Sequence, residues 1–138
     1  MENLALYKIK LAVLWLVYFC VMILTPTLEL YLPGFIEDII AGESGGEPIT
    51  AGLILLLAII TLIPPVMAIL SITLKDSINR WANIIVGIVF AFLALIGLSE
   101  YLMKQDAYYA GLILVAIVEF VIAALIVWYA WKWPKQKD

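Results

Sequence analysis

Polar residues in this chain are bunched, and the stretches between the bunches are almost wholly apolar. Four such stretches stand out, at about 11–27, 49–74, 81–98 and 108–131. A helix that crosses a bilayer needs about 20 mostly apolar residues, and these lengths approach or exceed that. Runs such as GLILLLAII, from Gly52 to Ile60, lack the apolar–polar alternation of a barrel strand. The pattern predicts an all-α, integral membrane four-helix bundle, with residues 1–138 forming a single domain. Between the first two spans a shorter pattern occurs. Phe35, Ile36, Ile39 and Ile40 share one helical face, and Glu37 and Asp38 share the other. Pro33 suits the first turn of this segment and Gly42 its end, so the loop is expected to carry a short amphipathic helix on the membrane surface.

Composition sharpens this picture by exclusion. Of 138 residues, 66% are hydrophobic and 14% charged, whereas a soluble domain is roughly half apolar and about a quarter charged. A soluble enzyme, a nucleic-acid binder with a basic face and a disordered linker are all excluded. The chain has no histidine and one cysteine, which removes a histidine base, a Cys/His zinc site and an internal disulfide framework. No metal and no cofactor is predicted. Lys8 and Lys10 precede the first apolar run as they would in a secretory signal. That run is too long for a signal core, however, and leads into Thr25-Pro26-Thr27-Leu28-Glu29 with no small-x-small cleavage site, so it reads as a retained anchor.

Basic residues set the expected orientation. Lys8, Lys10, Lys75, Arg80, Lys132, Lys135 and Lys137 fall on one side of the four spans, and Lys104 alone falls on the other. The positive-inside bias therefore predicts a cell-membrane protein with both termini cytoplasmic, N-in and C-in. Trp81, Trp128, Trp131 and Trp133 mark the same inner level, and Tyr108 and Tyr109 the outer one, as interfacial aromatics do. The outer loop carries Glu29, Glu37, Asp38, Glu43 and Glu47 and no basic residue. Acids there can concentrate cations, but no calcium-loop spacing is present, and the same bias explains them without a ligand.

Glu119 is the charged residue that this layout cannot place at a surface. It lies near the middle of the fourth span, with Ala116, Ala123 and Ala130 on its face. An acid at such depth is costly and faces the helix interior or water, and small residues beside it favour close packing. Pro64 and Pro65, midway along the second span, lack the amides that would bond the carbonyls of Ile60 and Thr61. A protonated Glu119 is expected to donate to one of those carbonyls or to the Thr61 hydroxyl, forming an intramembrane polar site of Glu119, Thr61, Pro64 and Pro65. It reads either as a proton or cation site or as a hydrogen bond fixing helix register. A second cluster, Lys75, Arg80 and Asn83 at the inner start of the third span, is a candidate contact for lipid headgroups. The structural alternative is a cap from Asp76 or Ser77 with Asn83 bonding between helices. Gly87 and Gly97 read as close-packing positions.

Two segments are distinctive: Asn79-Arg80-Trp81-Ala82-Asn83-Ile84-Ile85 and the tail Trp128-Tyr129-Ala130-Trp131-Lys132-Trp133-Pro134. With GEPITAG from Gly46 to Gly52 and with Pro64, they resemble an uncharacterised family of small four-helix integral membrane proteins. The resemblance covers nearly the whole chain. It implies four helices and an acid where Glu119 stands. Just before the proline it implies a second acid, where this chain has Leu62.

Three function classes follow. The first is binding or transport of a small solute, cation or proton centred on Glu119, which for so few helices calls for self-association. The second is a structural or partner-binding membrane subunit without transport activity. The third, a membrane enzyme acting on lipophilic substrates, is disfavoured because no constellation has assignable catalytic roles. The expected partners are membrane lipids and either a second copy or another membrane subunit, with no nucleic acid.

Overall fold

A computed structural model describes residues 2–134. Its elements are α1 (Glu2–Glu29), α2 (Phe35–Ile40), β1 (Glu43–Ser44), β2 (Glu47–Pro48), α3 (Ala51–Thr73), α4 (Asp76–Met103), a 3-10 turn (Ala107–Tyr109) and α5 (Ala110–Trp131). α1, α3, α4 and α5 are each long and apolar enough to cross a membrane. Two of them overrun their apolar stretches. α1 begins nine residues early and α4 five residues early, because hydropathy marks what must leave water and backbone bonding continues past it. α3 runs unbroken through Pro64 and Pro65. It starts on Thr50, whose hydroxyl accepts from the Leu53 amide at 3.1 Å, a side-chain N-cap.

The connection from α1 to α3 differs from expectation in two details. Pro33 lies outside α2, which is entered through Gly34 at φ +83°. A two-strand hairpin follows, with Glu43 opposite Pro48 and Ser44 opposite Glu47. Gly45 and Gly46 both have positive φ, 60° and 84°, as a two-residue primed turn requires. Gly42, at φ +80°, ends α2 as expected.

α1 packs on α3 and on α5, α5 packs along α4, and α3 touches α4 sparingly. Trp15 and Tyr18 of α1 meet Phe90 of α4 across the middle, with ring centroids 5.4–6.0 Å apart and edge-to-face angles. Ala123 and Ala130 are fully buried and Ala116 nearly so, so the small-residue stripe of α5 is a packing face. Gly87 is a true close approach: a Cβ there would stand 2.8 Å from Val127 Cγ2. Gly97 is not. Its nearest foreign atom, on Tyr101, would be 3.9 Å away, because this part of α4 borders open space.

The described basic residues gather at one end, leaving Lys104 at the other. Lys8 pairs with Asp76 at 2.8 Å, Lys10 lies over the Tyr7 and Tyr129 rings, Arg80 bonds the Trp131 carbonyl, and Lys132 lies over Trp128. Lys135 and Lys137 lie outside the described residues.

Candidate functional site

Where α3 and α4 part, a chamber of about 570 Å³ remains between α1, α3, α4 and α5. Its wall is chiefly apolar, from Met22, Leu57, Ile60, Phe90, Leu93 and Ala94 among others. Its polar members are Tyr18, Thr25, Glu29, Thr61, Tyr101 and Glu119, and no lysine or arginine lines it. Glu119 therefore faces the helix interior, as its depth demands. The Thr25 hydroxyl donates to Glu119 Oε1 at 3.4 Å. The expected bond from Glu119 to α3 is not formed: Glu119 is engaged by Thr25 of α1, and the Thr61 hydroxyl donates to the Leu57 carbonyl at 2.7 Å. A hydroxyl one turn from its own helix carbonyl satisfies itself locally. Thr61 and Ile60 nonetheless border the same chamber as Glu119. Pro64 and Pro65 do not line it, and Pro64 is buried in helix packing.

Glu29 is the functional candidate that sequence reasoning put in the wrong place. Grouped with the outer-loop acids, it is in fact the last residue of α1, half-buried on the chamber wall, accepting from the Tyr101 hydroxyl at 3.3 Å. The available signal was helical spacing: Thr25 and Glu29 are one turn apart on one face. The turn separates Glu29 from the Thr25–Glu119 level by about 6 Å along the axis. A carboxylate at a helix C-terminus also meets the negative end of the macrodipole, and α1 has no basic residue in its last turn to offset this.

Glu29 and Tyr101 belong to a second cavity as well, a vestibule of about 720 Å³ at the end away from the basic cluster, which also includes Asp38, Glu100, Lys104 and Tyr109. The two residues thus stand between vestibule and chamber. Tyr101 is steadied by the Tyr109 ring, 5.9 Å between centroids.

At the other end the chamber is floored. Tyr18 and Phe90 line it and pack on Trp15, whose indole N–H donates to Asn83 Oδ1 at 2.7 Å. Ser71 donates to the same oxygen at 3.2 Å and to the Met67 carbonyl. Asn83 Nδ2 donates to both oxygens of Asn79, and Asn79 Nδ2 donates to the Ser71 carbonyl at 2.7 Å. Trp15, Ser71, Asn79 and Asn83 are all fully buried. Each polar group in this knot has a partner, so it ties α1, α3 and α4 together as a structural device.

That removes Asn83 from the expected headgroup cluster of Lys75, Arg80 and Asn83. Asn79 and Asn83 lie a turn apart on the face of α4 toward α1 and α3, and both are fully buried. Arg80, one residue and about 100° on from Asn79, turns toward the end of α5 instead. Lys75 is exposed, and it precedes α4 without capping it by a side-chain bond. Asp76 is the first helical residue, not a cap.

Fold and site together define a class: an all-helical protein with four span-length apolar helices around a chamber that holds two carboxyls. Within that class the chain belongs to the family of unknown function DUF6326, whose model matches residues 4–138. No curated protein and no solved structure matches it. Among the described residues no group of three or more His, Cys, Asp or Glu side chains is placed to hold a metal ion.

Proposed function

We propose that this is a cell-membrane protein that binds a small organic cation in the chamber, for passage or retention, with its basic end and both termini cytoplasmic. One observation carries the reading. Two carboxyls, Glu119 and Glu29, face one chamber whose remaining wall is apolar or hydroxyl-bearing and has no basic side chain. A volume near 570 Å³ is that of a small-molecule site, and Tyr18, Phe90 and Tyr101 offer aromatic surface to a cation. The acids of the vestibule favour entry of positive solutes from the outer side. The dipole at the end of α1 favours a cation beside Glu29 for the same reason that it disfavours the bare carboxylate. Because four helices of one chain surround the chamber, binding needs no self-association.

Benzyltrimethylammonium, a permanent cation with an aromatic body, is a suitable probe. Calorimetry on the detergent-solubilised protein should show saturable binding, weakened about tenfold or more by Glu119→Gln, since loss of one charge contact is worth ~1.4 kcal/mol or more there. Glu29→Gln should weaken it less. Affinity unchanged in both variants would remove the reading. Cation and proton flux into proteoliposomes separates passage from retention, and equal flux for wild type and Glu119→Gln would dismiss Glu119 as a coupling residue.

A further inference from the structure

On the side of α4 and α5 away from the chamber runs a separate apolar groove of about 550 Å³. Ala91 and Ala124 line it beside larger side chains such as Phe92 and Phe120, and Trp128 and Trp131 close its basic end. The helices are drawn together at Gly87, where even a Cβ would stand 2.8 Å from Val127 Cγ2, so the groove is narrow there. A strip of this kind takes a chain of methylenes more readily than a helix ~10 Å wide. From Trp131 to Phe120 is 11 residues, about 16 Å of helix, or close to half of a ~30 Å hydrocarbon core. The groove is one leaflet deep.

Each closing indole carries a cation. Lys132 Nζ is 4.2 Å from the Trp128 ring centroid, and the Arg80 guanidinium is 5.9 Å from that of Trp131 and 5.7 Å from that of Trp81. Arg80 spends one nitrogen, Nη2, on the Trp131 carbonyl at 3.3 Å, while its Nε is shut from solvent with no acceptor. Neither cation has an acidic partner among the described residues.

We propose that this groove holds one acyl chain of an anionic glycerophospholipid whose phosphate is met by Arg80 and Lys132. Apolar length, interfacial indoles and two uncompensated cations occur in the order that such a lipid presents from tail to head. The inference rests on membrane insertion and not on the cation chamber, so either can fail alone.

The test reads tryptophan fluorescence of the full chain in nanodiscs containing phosphatidylglycerol or phosphatidylcholine with brominated acyl chains. Brominated phosphatidylglycerol should reach half-maximal quenching at a mole fraction about tenfold below that of phosphatidylcholine, given two basic contacts. K132Q and the R80Q/K132Q pair should erase that preference stepwise, and Ala124→Phe, which fills the groove, should reduce quenching by both lipids. Equal quenching by the two lipids in the wild type would overturn the proposal. So would a preference undiminished in K132Q, whose exposed lysine can be changed without disturbing the fold. Disulfide crosslinking between chains through Ala124→Cys, in a Cys20→Ser background, would assign the groove to a second copy instead.

Discussion

Asn83 is where the fold should be easiest to break by one residue. Asn83→Leu keeps a side chain of similar length and removes both the acceptor for Trp15 and Ser71 and the donor to Asn79. Ser71 keeps its bond to the Met67 carbonyl, so two buried groups lose their partners, the Trp15 N–H and Asn79 Oδ1. An orphaned buried polar group costs ~1–3 kcal/mol in soluble proteins, while interhelical polar contacts in membranes average nearer 0.6 kcal/mol, because the separated helices find other partners. The expected loss is therefore about 2–3 kcal/mol. Trp15→Phe deletes the donor and keeps the ring against Tyr18 and Phe90, and Asn83 Oδ1 still accepts from Ser71, so that variant should lose about 1 kcal/mol. In the Asn83→Leu background the indole N–H is already unpaired, and Trp15→Phe should then cost almost nothing. The double-mutant cycle should thus show a coupling of about 1 kcal/mol. Reversible unfolding in mixed micelles of rising SDS content, followed by helical circular dichroism, measures all four proteins. An Asn83→Leu variant within about 0.5 kcal/mol of wild type, or strict additivity, would mean that the knot is not closed as described.

The two interior glycines of α4 should behave in opposite ways. Gly87→Ala forces Val127 and Ile126 to move and should lower stability by ~1–3 kcal/mol in the same unfolding assay, without a direct effect on cation binding. Gly97→Leu projects into free chamber space, so it should leave stability near wild type while cutting benzyltrimethylammonium affinity about tenfold or more. Lys8→Met removes both the 2.8 Å contact with Asp76 and the bond to the Leu74 carbonyl that ends α3, a loss of about 1 kcal/mol that should shrink as salt is added. Thr50→Ala, which deletes the cap of α3, should cost ~1 kcal/mol and speed amide exchange in the first turn of that helix.

What the sequence made legible follows from which forces are local. Helix number came from apolar length, because the cost of unbonded backbone in lipid leaves few alternatives for such runs. Glu119 stood out because no surface lies within reach of its position. The α2 segment was readable from its two faces and Gly42, yet its start was misplaced by assigning Pro33 to the first turn when Gly34 makes the entry. The hairpin was not anticipated although Gly45-Gly46 is a strong turn signal, because strands of two residues are too short to carry an apolar–polar alternation. Partnerships between helices were the harder part. Nothing within α5 says that Glu119 will find Thr25 on α1 before Thr61 on α3, because that depends on which helices are neighbours. Asn83 was similarly ambiguous. Its two readings differ by a rotation of α4, and the bonds of Asn79 and Asn83 to α1 and α3 settle the rotation.

The arrangement along the axis bears on what the chamber can do. From the acidic end inward, vestibule, Glu29 with Tyr101, chamber and Glu119 succeed one another, and then the path meets Tyr18, Phe90 and the satisfied knot around Asn83. Every polar side chain of the knot is bonded and the rings above it are edge-on in close contact, so among the described residues no water-lined route continues toward the basic end in this state. A solute entering at the acidic end therefore reaches a dead end. Retention or sensing of a cation requires nothing further, whereas passage requires α1 and α4 to separate at Trp15–Asn83, which breaks buried hydrogen bonds. The same bonds that make Asn83 the weak point for stability would then form the barrier to transport. A transporter should show faster flux when the Trp15–Asn83 bond is removed, and a binding protein should show no flux with or without it. Flux through Trp15→Phe proteoliposomes, compared with wild type, thus distinguishes the two roles by a residue that never touches the solute.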